Sequence, residues 1–404
     1  MNTRAMAAAI LLRIRDHGAY SNVLLPRATH GLSDRDRSFV YRLVTDALRQ
    51  QRTSDALIAA ATNRSVSELD PEVSAVLQVA VAELLGDDPD AAYATVNESV
   101  EAVRDLGFGR AAGLVNGVLR RMTRDGLPEL PANRARSLSV PEWVLGRITQ
   151  DHGRALAGAL LAGLRASAPG VGIRVARRSE PPAGAIAVDG IEGAYRLDRA
   201  PERSRNLVIM DGASVAVARA VAARAGERIL DMAAAPGGKT IALWDEAEGR
   251  ASLVAMDSHQ RRLASARDRL VDYGANPWWV VGDGTRAPFP GKSFDAILLD
   301  APCTGLGTLR RRPEIAMRLK VKALENLAAQ QRDMLREAWR LVRPGGRVVY
   351  SVCTLFAAET VEVVGDYGAA APPGLPGLAW GGGLLLAPHL TGTDGMFVSV
   401  IRKD

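Results

Sequence analysis

A chain of 404 residues, 47% hydrophobic and 24% charged, is long enough for two or three domains and has the balance of a soluble globular protein, which excludes a fibre or a disordered chain. The formal charge of +6 and a pI of about 9.6 favour a polyanionic partner, and arginine, which suits bidentate phosphate contacts, supplies nearly all the positive charge; a GC-rich coding bias would leave the same excess. The only cysteines, Cys303 and Cys353, cannot build a disulfide framework, and five scattered histidines offer no zinc spacing, so no metal is expected.

The apolar stretches MAAAILL near the start and ALAGALLAGL at 155–164 are too short to span a bilayer, so a cytoplasmic location, reduced thiols and no membrane partner are expected. From residue 1 to 135 apolar positions recur at three and four in LSDRDRSFVYRLVTDALRQQ, PEVSAVLQVAVAELL, AAYATVNESVEAVRDLG and AAGLVNGVLRRMTRDG, the signature of an all-α domain that ends at the linker LPELPANRAR, 127–136. Residues 1–140 carry 17 Arg, no Lys and 17 Asp plus Glu, so any grip on nucleic acid there comes from local patches. Residues 136–220 read as linker helices and a small α+β subdomain with short strands in GVGIRVARR, AIAVDG and AYRLDRA. From 221 to 404 strands alternate with helices: ERILDM, SLVAMD, WWVVGD, FDAILLDAP and GRVVYSVCT are near-continuous apolar runs, which predicts a parallel doubly wound sheet, with FVSVIRK as a final strand and GAAAPPGLPGL at 368–378 as a loop.

Ligands of such sheets bind beyond the carboxyl ends of the strands. There stands DMAAAPGGKT, 231–240, whose Ala234, Ala235, Pro236, Gly237 and Gly238 let backbone approach a ligand, and whose helix start favours a negative group such as a carboxylate. The spacing is not that of a nucleotide-triphosphate loop, and a plain strand-to-helix turn is the alternative. Lys239 either reaches the cofactor carboxylate or the substrate, or is an ordinary lysine at a helix start. Asp257 and Asp283 end the next two strands, where an acid can accept from ribose hydroxyls or merely cap a helix. No GxGxxG precedes the helix, which disfavours a dinucleotide relative to S-adenosylmethionine.

With the cysteine strings added, the chain resembles the RNA cytosine-C5 methyltransferases, and in particular the RsmB/Sun (Fmu) group that acts on bacterial small-subunit (16S) rRNA. The resemblance is carried by MDGAS at 210–214, DMAAAPGGKT, Asp257, Asp283, DAPCTGLGTLRRRPEI at 300–315, LVRPGGRVVYSVCT at 341–354 and TDGMFVSVIRK at 393–403; AAYATVNESVEAVRDLGFGRAAGLVNGVLRRM at 91–122 resembles the NusB-like RNA-binding domain of that group. It implies a helical NusB-like domain, a small subdomain and a Rossmann-like class I methyltransferase domain, with S-adenosylmethionine as methyl donor and unassembled or partly assembled small-subunit rRNA as partner. It also implies Cys353 as nucleophile and Cys303 in product release. Cytosine C5 is too weak a nucleophile to be methylated unaided, so a thiolate must first add to C6, and an acid near N3, which suits Asp300 at the cofactor's edge, assists. A thiol of pKa about 8.5 is mostly protonated near neutrality; Arg310, Arg311 and Arg312 supply local positive potential, hold RNA phosphates, or form a solvated face. For each cysteine the alternative is an inert buried thiol.

Some positions depart from the family pattern: Ala233 replaces its usual Cys, Val352 its Thr, and its glutamate-rich helix start shrinks to Glu359 and Glu362. A tRNA substrate, or a catalytically silent RNA-binding assembly factor, are the competing functions; intact Asp300, Cys303 and Cys353 argue against the latter. No long apolar heptad is present, so a monomer is expected.

Overall fold

The computed structural model describes residues 2–86, 91–166, 170–202 and 204–404. Two compact units emerge, Met1–Gly146 together with Arg311–Arg318, and Arg147–Arg310 together with Leu319–Asp404.

The first unit is helical. Its helices are Thr3–Asp16, Ser21–Ala28, Asp34–Thr62, Pro71–Leu84, Ala91–Asp105 and Ala112–Arg124; two of them start at side-chain caps, where Asn2 Oδ1 accepts from the Ala5 amide at 2.7 Å and Ser33 Oγ accepts from that of Asp36 at 3.1 Å, with Asp34 and Asp36 favourably placed against the dipole of the longer one. Val73 to Ala82 are all buried, which makes Pro71–Leu84 the central helix, against which Ile14, Val44, Ile58 and Leu119 form one core. Arg311–Arg318 belongs here although it follows DAPCTGLG in sequence. Glu314, 0% exposed, accepts from the Ser21 amide at 3.1 Å and hydroxyl at 2.9 Å, and Arg318 lies over the Tyr20 ring.

In the second unit a small antiparallel sheet is formed by β1 (Val171–Val175), β2 (Ile186–Ala187), β3 (Ala194–Leu197) and β4 (Leu207–Ile209), in the order β2-β3-β1-β4. The large sheet has eight strands: β5 (Arg228–Asp231), β6 (Ser252–Asp257), β7 (Trp278–Val281), β8 (Phe294–Asp300), β9 (Val342–Val352), β10 (Leu378–Trp380), β11 (Gly383–Leu386) and β12 (Met396–Arg402). Their order is β10-β11-β12-β9-β8-β5-β6-β7. β5 to β9 pair in parallel, whereas β12, β11 and β10 extend the sheet antiparallel. The sheet is therefore mixed: parallel through β5 to β9, as the apolar runs predict, with an antiparallel extension that begins at the final strand β12.

The apolar runs have a direct cause. Ile229, Leu253, Ala296, Leu298 and Val349 feed a core on one face with helices Gly212–Ala220 and Gly238–Glu246, while Leu230, Val254, Ile297, Leu299, Val348 and Tyr350 feed a core on the other with helix Val321–Leu341. Both faces are covered, so every second residue cannot be polar. Each fully buried Leu, Ile or Phe contributes about 1.5–3 kcal/mol. Among the described residues no helix is long and apolar enough to cross a membrane.

Candidate active site

The carboxyl ends of β5 to β9 gather the acids and thiols. After β5 the chain turns through Met232–Gly237 into helix Gly238–Glu246; Gly237 adopts φ +96°, and a Cβ there would stand 2.6 Å from Leu270 Cδ1, so glycine is required. Asp257, 5% exposed, binds this turn: its Oδ2 accepts from the Ala235 amide at 3.2 Å and its Oδ1 from the His259 amide at 2.9 Å. Exposed Asp283 follows β7 and turns Oδ1 to the Thr285 amide at 2.8 Å and hydroxyl at 2.9 Å. A glycine turn, a helix N-terminus and two strand-end carboxylates form a donor and acceptor set that fits an adenosyl ligand bearing a charged tail.

Next to this turn lies an ion pair that the sequence reading left open. Lys239 Nζ is 2.6 Å from Asp300 Oδ2, and Ser351, paired with Asp300 in the β8–β9 register, donates its hydroxyl to Asp300 Oδ1 at 2.8 Å. Burial pulls the lysine pKa down, but Asp300, with Asp231 and Cys353, outweighs it and holds the ammonium above its ordinary value. Asp231, 1% exposed, is pushed up to about 7 by burial against the opposing hydrogen bond from the Thr240 hydroxyl at 2.6 Å. Nothing in the sequence distinguishes this carboxyl from the other strand-end acids.

The two thiols meet: Cys303 Sγ is 3.2 Å from Cys353 Sγ. Contact with Cys353, burial and the carboxylates of Glu359 and Asp300 push the Cys303 thiol well above its ordinary value. The loop carrying Cys303 is pinned to the chain end before β12. The Gly307 amide donates to the Cys353 carbonyl at 2.9 Å, the Gly395 amide donates to the Gly307 carbonyl at 2.8 Å, and the Asp394 amide donates to Asp211 Oδ1 at 2.9 Å. The strings MDGAS, DAPCTGLG and TDGMF thus close on one another. A Cβ on Gly307 would lie 1.8 Å from the Gly395 carbonyl oxygen, so Gly307→Ala is expected to cost about 1–3 kcal/mol, seen as a Tm lower by several degrees in thermal melting.

Arg310 is 6% exposed and donates Nη1 to the Gly392 and Thr393 carbonyls at 2.8 and 3.0 Å, so its guanidinium serves the fold and is not presented to RNA phosphates. Arg311 is exposed and Arg312 half-buried, both in the helical unit. Val352, 0% exposed, packs in the core beneath β9, away from the core that Cys353 borders, and Ala233 is half-buried in the turn. Glu359, noted in the sequence only as a remnant of a family pattern, is fully buried against the Cys303 loop.

Two family models match the chain: 16S rRNA methyltransferase RsmB/F over residues 218–371 and the NusB family over residues 1–124. The ribosomal RNA small subunit methyltransferase B of Xanthomonas campestris pv. campestris is 32% identical over 432 aligned positions, covering 99% of this chain and 97% of that protein. Its namesake from Thermus thermophilus is 33% identical, with 99% and 97% covered. The crystal structure of PH0851 matches 100% of this chain and 99% of its own with a TM-score of 0.83 at 21% identity, a likeness of fold.

Proposed function

Since the chain belongs to the 16S rRNA methyltransferase RsmB/F family, we propose that it forms 5-methylcytosine in small-subunit rRNA through a covalent bond between Cys353 and C6 of the target base. The observation that carries this reading is the meeting of two thiols, 3.2 Å apart, at the strand ends that also hold the Lys239–Asp300 pair. The enzyme depends on S-adenosylmethionine, which when bound supplies an electrophilic methyl group; the Gly237–Gly238 turn, Asp257 and Asp283 are the residues that would hold it.

The chain's own groups divide the remaining work. The Cys353 thiolate adds to C6, which breaks the C5–C6 double bond and makes C5 nucleophilic. Asp300 relays a proton to N3 as charge builds there, taking it from the Lys239 ammonium 2.6 Å away. Once C5 carries the methyl group, a base removes the C5 proton, the double bond re-forms, and the C6–S electron pair returns to Cys353. Cys303, in contact with that sulfur, serves this release. The target base must leave its stack, so unassembled or partly assembled RNA in the cytoplasm is the substrate, with the NusB-like helices holding RNA.

The test is nucleoside mass spectrometry on protein-free small-subunit rRNA after incubation with the enzyme and methyl-labelled S-adenosylmethionine. Labelled 5-methylcytosine is expected. Label confined to a parallel tRNA reaction would keep the chemistry and replace the substrate, and label in neither would return the chain to an RNA-binding role.

A further inference from the structure

The chemistry requires two identical thiols to behave differently, and a carboxylate unused above stands where it can make them do so. Glu359 is 0% exposed. Its Oε1 accepts from the Thr304 amide at 2.8 Å and from Gln331 Nε2 at 3.0 Å. Its Oε2 lies 2.5 Å from Thr304 Oγ1, which is 3.0 Å from Thr354 Oγ1, and its carbonyl accepts from the Tyr350 hydroxyl at 2.6 Å. Thr304 follows Cys303 and Thr354 follows Cys353, so one buried carboxylate grips the residues next to both thiols.

We propose that Glu359 is a positioning residue, joining the two cysteine loops through Thr304 and Thr354 and distinguishing Cys303 from Cys353 by its negative charge. The groups acting on Cys303 are Cys353, Glu359 and Asp300, each of which disfavours a thiolate there. The Lys239 ammonium, by contrast, is coupled to Cys353, which favours a thiolate on that sulfur. Burial pushes the Glu359 carboxyl up, and the hydrogen bonds from Thr304 and Gln331 oppose that, so its charge is the lever on which the difference between the two thiols turns. Cys303 therefore stays a neutral thiol while Cys353 adds; when release begins it can pass that proton to the departing Cys353 sulfur, 3.2 Å away, and take up the C5 proton in its place. The purpose assigned to this polarity rests on the covalent reading above, but its existence is tested without turnover.

The experiment compares the full-length Cys353→Ser protein with Cys353→Ser/Glu359→Gln, alkylated with iodoacetamide near about pH 8, with Cys303 followed by peptide mass spectrometry. Glutamine keeps the Oε1 acceptor and removes the charge, so Cys303 is expected to react about tenfold or more faster. An unchanged rate in folded protein overturns the electrostatic role. Thr304→Val, made with both cysteines present, keeps the charge and breaks the bridge: kcat is expected to fall by about tenfold or more with the RNA KM unchanged. Unchanged kcat overturns the positioning role, and decides the matter should the glutamine variant fail to fold. Absence of 5-methylcytosine from the wild-type nucleoside assay would defeat the covalent reading yet leave the alkylation comparison intact.

Discussion

Replacing Cys353 with alanine is expected to lower single-turnover methyl transfer by about 10⁴-fold or more, while S-adenosylmethionine binding, measured by calorimetry, stays within about threefold. The reasoning is local. In the proposed mechanism no adduct forms at C6 without a sulfur at 353, and C5 keeps its aromatic character. Cys303 is not placed to take over: the variant removes the Cys353 contact, the largest influence on its thiol, but burial and the Glu359 and Asp300 carboxylates still disfavour a thiolate there, and it borders a different core. The turn at Gly237 and the Asp257 carboxylate are anchored by the Ala235 and His259 amides, so the cofactor residues do not depend on the nucleophile. Methyl transfer by the variant at more than about a hundredth of the wild-type rate would sink the nucleophile assignment.

Most of the fold is legible in the sequence because burial on both faces of β5 to β9 leaves unbroken apolar runs such as FDAILLD, each ended by an acid or a small residue. The opposite edge is less legible. β10 and β11 are short and lie next to GAAAPPGLPGL, where glycine and proline read as loop, and only antiparallel pairing, of Gly383–Leu386 with β12 and of Leu378–Trp380 with Gly383–Leu386, makes them strands. The acids and thiols are visible as types at strand ends, but not their partners. The Lys239–Asp300 pair joins residues far apart in sequence. Arg310 reads like its neighbours in a basic run until the Gly392 and Thr393 carbonyls are found on its guanidinium. Glu314 shows the same limit, since its burial comes from Ser21, far upstream. A charge in a sequence reports that it needs a partner or water, and only the fold says which.

Replacing Cys303 with alanine is expected to stop the cycle after addition instead of before it. The alanine enzyme keeps Cys353, Asp300 and Lys239, so the bond to C6 still forms, but the sulfur 3.2 Å from Cys353 is gone and with it the group placed to serve elimination. Incubated with RNA and methyl-labelled S-adenosylmethionine, the variant is expected to accumulate a protein–RNA adduct that migrates slowly in a denaturing gel and disappears on protease treatment, while steady-state turnover falls by about 10²-fold or more. The contrast between the two alanine variants carries the argument, because loss of either thiol would abolish activity in a merely structural pair, and only an ordered mechanism leaves RNA bound covalently in one and not in the other. Normal turnover without an adduct in Cys303→Ala would make that cysteine a packing residue and move the base that removes the C5 proton elsewhere in the site.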